Sequence, residues 1–213
     1  MTKFKVKICG IKDNSIIDCC IENGIDYFGL VFYSKSPRFI NEELAIELIN
    51  YAKNKKITPV GVFVNHNIDA LKSFIEKSKI TLIQLHGSED NDYVKSLKKN
   101  FNIKVIKSVG IRTSYDFEKL ESFSECDYFL FDYKPEQLEL PGGNAKRFDW
   151  SLLEKITVNK SWFLSGGLNI NNIIEIKSNL FPYGIDISSG VEEREGIKSS
   201  KKIKDIMKKL NEF

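Results

Sequence analysis

Short runs rich in Val, Ile and Phe recur eight times along the chain, at 4–9 (FKVKIC), 27–32 (YFGLVF), 59–64 (PVGVFV), 81–86 (TLIQLH), 104–109 (KVIKSV), 128–132 (YFLFD), 161–166 (SWFLSG) and 184–188 (GIDIS). Runs of this length and composition predict strands. The stretches 41–54, 67–78 and 199–210 carry apolar residues at helical spacing, the last as an amphipathic C-terminal helix. Strand starts fall roughly 22–24 residues apart, with wider intervals after the second and sixth, which is about the length of one compact βα unit. Eight such units predict an α/β fold of the TIM type, a closed parallel (β/α)8 barrel, in preference to an open doubly wound sheet. No linker or low-complexity tract divides residues 1–213, so a single domain is expected.

A barrel of this kind carries its chemistry at the C-terminal ends of its strands, with phosphate sites commonly in the loops after the seventh and eighth. Alternation decides which side chains meet there. In the first run Phe4, Val6 and Ile8 share one face, and Lys5, Lys7 and Cys9 the other. The apolar face belongs against the helices, which turns the cysteine inward. By the same reasoning Ile185 and Ile187 point outward and Asp186 and Ser188 inward. Gln84 falls in phase with His86, and Asp132 with Leu130. Cys9, Gln84, His86, Asp132 and Asp186 are therefore expected around one mouth.

Composition narrows the classes of function. The 32 basic residues are balanced by 29 acidic ones, for a net charge of +3, and no basic arm stands out, so nucleic acid is not demanded. The N-terminus enters a strand without a signal-like apolar region, and no apolar run approaches a bilayer's thickness. A soluble, cytoplasmic protein with reduced thiols is expected. Cys9, Cys19, Cys20 and Cys126, with His66 and His86, lack the paired spacing of a zinc site, and no metal is expected. Arginine is scarce: Arg38, Arg112, Arg147 and Arg194 are the only four.

A thiol and a carboxyl facing each other across a pocket suit proton transfer, one removing a proton as the other delivers one. An unperturbed cysteine is only about 3% thiolate at pH 7, so a lowered pKa would help. Lys7, on the same inward face, is a source of that shift, or else simply the partner of Asp186. The alternative for Cys9 itself is a small buried apolar residue. His86 either contacts a ligand or satisfies a polar loop.

Ser165-Gly166-Gly167 follows the seventh strand and Ser188-Ser189-Gly190 the eighth, so the backbone and hydroxyls at both loops suit an anion. Arg38, in the Ser-Pro-Arg run at 36–38, suits two parallel hydrogen bonds to a carboxylate, or a surface ion pair. The poorly periodic stretch from Tyr133 to Arg147 has the length of a lid. Two rival functions share these features. A lyase working through a Schiff base would want an inward lysine, for which Lys107 is the candidate. A binding module would keep the glycine loops alone.

The runs KICGI (7–11), GLVFYSKSPR (29–38), GVFVN (61–65), IQLHG (83–87), FDW (148–150), LSGGLNINN (164–172) and GIDISSGVE (184–192) together resemble the phosphoribosylanthranilate isomerase family of tryptophan biosynthesis. The resemblance runs in order through nearly the whole chain. It implies a (β/α)8 barrel and a cofactor-free Amadori rearrangement of N-(5-phosphoribosyl)anthranilate to 1-(2-carboxyphenylamino)-1-deoxyribulose 5-phosphate. It further implies Asp132 as general acid, Cys9 as general base and Arg38 as reader of the anthranilate carboxylate. Gly166, Gly167 and Ser188 to Gly190 would hold the phosphate, and Asp186 the linking nitrogen or hydroxyls. The expected partners are a small phosphorylated substrate and other enzymes of that pathway, with a monomer expected rather than a dimer and no nucleic acid or membrane. One departure is visible: Gly142-Gly143-Asn144-Ala145 stands where the family usually has Gly-Gly-Thr-Gly, which bears on lid geometry.

Overall fold

The computed structural model describes residues 4–136, 146–177 and 180–212. Eight parallel strands pair in sequence order and close on themselves. They are β1 (Lys5–Cys9), β2 (Tyr27–Val31), β3 (Thr58–Phe63), β4 (Leu82–Leu85), β5 (Lys104–Ile111), β6 (Tyr128–Tyr133), β7 (Trp162–Leu164) and β8 (Gly184–Ile187). Each coincides with a predicted run to within two residues at either end, as expected where one face of a strand must be apolar.

The helices α1 (Asn14–Glu22), α2 (Glu42–Ala52), α3 (Ile68–Ser78), α4 (Asn91–Lys98) and α5 (Ser200–Asn211) pack outside the strands. Each begins on a residue whose side chain accepts from the first-turn backbone: Asp13, Asn41, Asn67, Asp90 and Ser199 in turn. Such caps satisfy amides that a helix start leaves unpaired. The connections after β5, β6 and β7 contain 3-10 turns, at Ser114–Ser122, Trp150–Lys155 and Ile173–Lys177. After β8 the chain makes an antiparallel hairpin, β9 (Glu192–Arg194) with β10 (Ile197–Lys198), which eightfold periodicity did not anticipate. Among the described residues no helix is long and apolar enough to cross a membrane.

Alternation sorts the core into two bodies. Val6, Ile8, Phe28, Leu30, Ile83, Val105, Phe131 and Ile185 join the helices in the larger one. Cys9, Val31, Val60, Val62, Leu82, Ile106, Leu130 and Phe163 fill the barrel itself. The end away from the strand C-termini is plugged by rings. Phe163 meets Tyr27, Tyr128 and Tyr183 edge-on, with centroids 5.8, 6.0 and 5.4 Å away. Gly184 makes this possible, because a Cβ there would lie 2.6 Å from the Phe163 ring. The barrel is thus open at the C-terminal end of its strands and closed at the other.

Truncating Phe163 removes the centre of that plug. Phe163→Ala is expected to lower unfolding free energy by about 3–5 kcal/mol, read as a shifted urea midpoint.

Candidate active site

Lys7 lies inside the barrel with no exposed surface, and its Nζ donates to Asp186 Oδ1 at 2.9 Å. The two are register partners across the β1–β8 pair, where the barrel closes. Burial opposes the ammonium charge, but Asp186 and Cys9 outweigh it and hold Lys7 above its ordinary range. Cys9 is next on the same face, and β2 makes room with Gly29: a Cβ there would lie 2.8 Å from Cys9 Sγ and 3.2 Å from Lys7 Nζ. Lys7 therefore pairs with Asp186, and its charge also acts on the thiol beside it. The net direction at Cys9, left open by the sequence, is upward. Burial pushes the thiol above the ordinary cysteine range, and Lys7 offsets that only in part.

Asp132, near the end of β6, points into the same cavity, which is also lined by Cys9, Arg38, Gln84, His86, Asp186 and Ser188. Burial raises its carboxyl to about 7, against a hydrogen bond from the Tyr133 amide that favours the charged form. Gly166 keeps this carboxyl uncrowded, since a Cβ there would sit 3.2 Å from Asp132 Oδ1. His86 Nε2 stands 3.5 Å from Asp132 Oδ2. Burial and the charges of Lys7 and Lys107 lower the imidazole to about 3, so it is neutral. Gln84 Nε2 reaches His86 Nδ1 at 2.8 Å, and with Gln84 donating, the ring proton lies on Nε2, toward Asp132 and Ser108. Gln84 Oε1 is buried without a partner among the described residues.

Arg38 is not the surface pair that composition left open. Its Nε and Nη2 donate to Glu192 Oε1 and Oε2 at 2.7 and 2.8 Å, and both residues are buried. Lys198 adds a third buried charge, with Nζ 2.7 Å from Glu192 Oε1. Gly10 explains the break after Cys9. It has φ +87°, and a Cβ on it would approach the Arg38 stem at 2.8 Å. The turn clears the arginine.

The two glycine loops touch directly, since a Cβ on Gly190 would fall 2.0 Å from Leu168 O. Gly166 and Gly167 have φ of +91° and +67°, and the Asn169 and Asn172 amides bind Gly167 O at 2.9 Å. Ser188 Oγ donates to Cys9 O at 3.1 Å, joining the β8 loop to the thiol's own backbone. Ser189 opens the short 3-10 turn Ser189–Val191.

Lys107 takes no part in this cavity. It shares its face with Val105 and Val109, outside the barrel, and pairs with Glu89 at 2.9 Å. The lyase reading therefore loses the lysine it rested on. Of the stretch expected to form a lid, residues 137–145 lie outside the described residues, and with them the Asn144 and Ala145 departure. Its far end is anchored: Arg147 pairs with Glu175 and stacks over Trp150, 3.8 Å from the ring centre. Sequence reasoning missed Gly29, Glu192 and Lys198. A glycine inside an apolar strand was the one available signal, marking close approach of something bulky.

Residues 6–209 match the family model for N-(5'-phosphoribosyl)anthranilate (PRA) isomerase. The chain is 40% identical over 200 residues to an N-(5'-phosphoribosyl)anthranilate isomerase of Rhizobium etli, covering 92% of this chain and 89% of that one. It superposes on the crystal structure of phosphoribosyl anthranilate isomerase from Thermotoga maritima with a TM-score of 0.87 and 32% identity, over 99% and 100% of the two chains. A phosphoribosyl anthranilate isomerase in complex with reduced 1-(o-carboxyphenylamino)-1-deoxyribulose 5-phosphate gives 0.83 and 30%, over 99% and 100%. A closed eight-stranded barrel with a buried acid and thiol at one mouth, and a match that spans nearly its whole length, place this chain in the N-(5'-phosphoribosyl)anthranilate isomerase family.

Proposed function

We propose that the chain, as one barrel domain, rearranges N-(5'-phosphoribosyl)anthranilate with Asp132 as general acid and Cys9 as general base. The observation that carries this is their shared cavity, in which burial keeps Asp132 protonated up to about pH 7. Asp132 gives its proton to the furanose ring oxygen as the C1–O bond breaks and the nitrogen lone pair forms the C=N bond. Cys9 then takes the proton from C2, and those electrons form the C1=C2 bond of an enolamine. Loss of the enol proton and protonation at C1 give the ketone, with no change in oxidation state of the whole molecule.

Lys7 stabilises the thiolate that must react, since an ammonium beside it favours the charged form. Above about pH 7 the resting pair is carboxylate and thiol, so the reacting state has the proton moved from Cys9 to Asp132. Asp186, fixed by Lys7, faces the sugar nitrogen and hydroxyls, and Gln84 and His86 line the opposite wall. Gly166, Gly167, Ser188, Ser189 and Gly190 offer backbone amides to the phosphate, and Ser189 its hydroxyl as well. Arg38 faces the aryl carboxylate. The solved relative in complex with a reduced deoxyribulose 5-phosphate supports a small phosphorylated ligand. A monomeric state, a cytoplasmic setting and contact with other enzymes of the pathway belong to the same proposal.

Cys9→Ala and Asp132→Asn are each expected to lower kcat by about 10²–10⁴-fold, with little change in affinity for a reduced product analogue. Loss of phosphoribosylanthranilate fluorescence measures this, and retained turnover in either variant would remove that residue from the mechanism.

Asp132 also predicts a pH-dependent stability. Its folded pKa of about 7 lies above the ordinary carboxylate value, so the native state holds a proton that the unfolded chain releases. Stability therefore falls as pH rises from about 4 to 7, by at most about 4 kcal/mol from this group. Asp132→Asn is expected to unfold at higher denaturant than the wild type at pH 8, and the gain should vanish near pH 4. A destabilised variant at pH 8 would contradict the burial argument.

A further inference from the structure

We propose that Glu192 and Lys198, carried on the β9–β10 hairpin, are positioning residues that present one edge of Arg38 to the aryl carboxylate of the substrate. The proposal rests on the reading of Arg38 given above and adds the elements that aim it. A guanidinium has two edges that can grip a carboxylate, one formed by Nε–H and Nη2–H, the other by Nη1–H and the second Nη2–H. Glu192 occupies the first edge with both its oxygens. The second edge has no partner among the described residues, and Arg38 lines the cavity. The substrate carboxylate would therefore be held end-on.

Charge points the same way. Arg38, Glu192 and Lys198 are each less than a tenth exposed, and together carry one excess positive charge. Glu192 alone would neutralise the arginine; Lys198, bound to the same carboxylate, restores the excess. A buried net charge calls for a counter-ion, and an anionic ligand at the mouth supplies one. Burial pulls Lys198 below the ordinary lysine range against the pull of Glu192, as fits a cation with too little partner.

The hairpin is also built onto the arginine's loop. A Cβ on Gly196, at φ +77°, would meet Pro37 O at 2.5 Å, and Lys12 Nζ donates to that oxygen at 2.8 Å. Ser36 Oγ receives the Arg38 amide, and Gly10 clears its stem. Lys198 reaches Ser188 O at 3.1 Å as well, tying this clamp to the β8 glycine loop.

The double variant Glu192→Gln, Lys198→Met removes the clamp while leaving the local net charge unchanged, so it separates aim from attraction. Two probes are titrated by calorimetry: reduced 1-(o-carboxyphenylamino)-1-deoxyribulose 5-phosphate, and its phenylamino counterpart without the carboxylate. The expected result is a loss of about tenfold or more for the first, with the second held within about twofold. Equal losses for both probes, or no loss for the first, would overturn the proposal. Arg38→Met, measured alongside, should abolish the wild type's preference for the carboxylated probe. If it does not, the reading of Arg38 fails and this proposal with it. If it does and the double variant keeps the preference, only the clamp is wrong. Should the double variant not fold, Glu192→Asp shortens the reach at constant charge and should show a smaller loss confined to the carboxylated probe; equal losses there overturn the proposal as well.

Discussion

An ammonium with no exposed surface sits inside the barrel, and most of the site is arranged around it. Removing such a charge from water costs several kcal/mol unless partners replace the lost hydration. Asp186 supplies the opposite charge, Cys9 a polar neighbour and Gly29 the volume, drawn from β8, β1 and β2. These are the strands at the closure of the barrel, and Lys7 and Asp186 stand opposite each other in its register. A slip of one residue in that pairing would point the lysine into the helix layer and leave Asp186 alone in the core. Register and electrostatics thus enforce each other.

The same burial serves chemistry against stability. Asp132 keeps its proton up to about pH 7 because water is kept from it, and this group's contribution to stability falls as pH rises above about 4 for that reason. Cys9 is pushed in the opposite sense from reactivity by the same dryness, and Lys7 is the local correction. His86 stays neutral between two cationic neighbours, so it adds a hydrogen-bond donor beside the acid without adding charge. The mouth holds several ionisable groups, yet ion pairing and neutral forms leave little unbalanced charge apart from the cluster around Arg38.

The barrel was legible because period-two alternation is a strong signal when one strand face meets helices and the other a packed interior. The inward set Cys9, Gln84, Asp132 and Asp186 followed from that alone. Lys107 was not resolved because Lys104 and Lys107 lie three apart in β5 and cannot share a face; tertiary packing put Ile106 inside and Lys107 out. The net shift at Cys9 stayed open because a sequence shows the neighbouring charge but not the depth of burial that opposes it. Glu192 and Lys198 stayed hidden since they act on Arg38 from 154 and 160 positions away in the chain, through a hairpin too short to leave a pattern.

The pairing of Lys7 with Asp186 also sets an order on biosynthesis. The lysine leaves the ribosome 179 residues before its counter-charge. Until then any collapse that buries β1 inside a partial barrel strands an unpaired cation in an apolar interior. The nascent chain is thereby discouraged from closing on fewer than eight strands, and the final compaction waits until β8 has emerged.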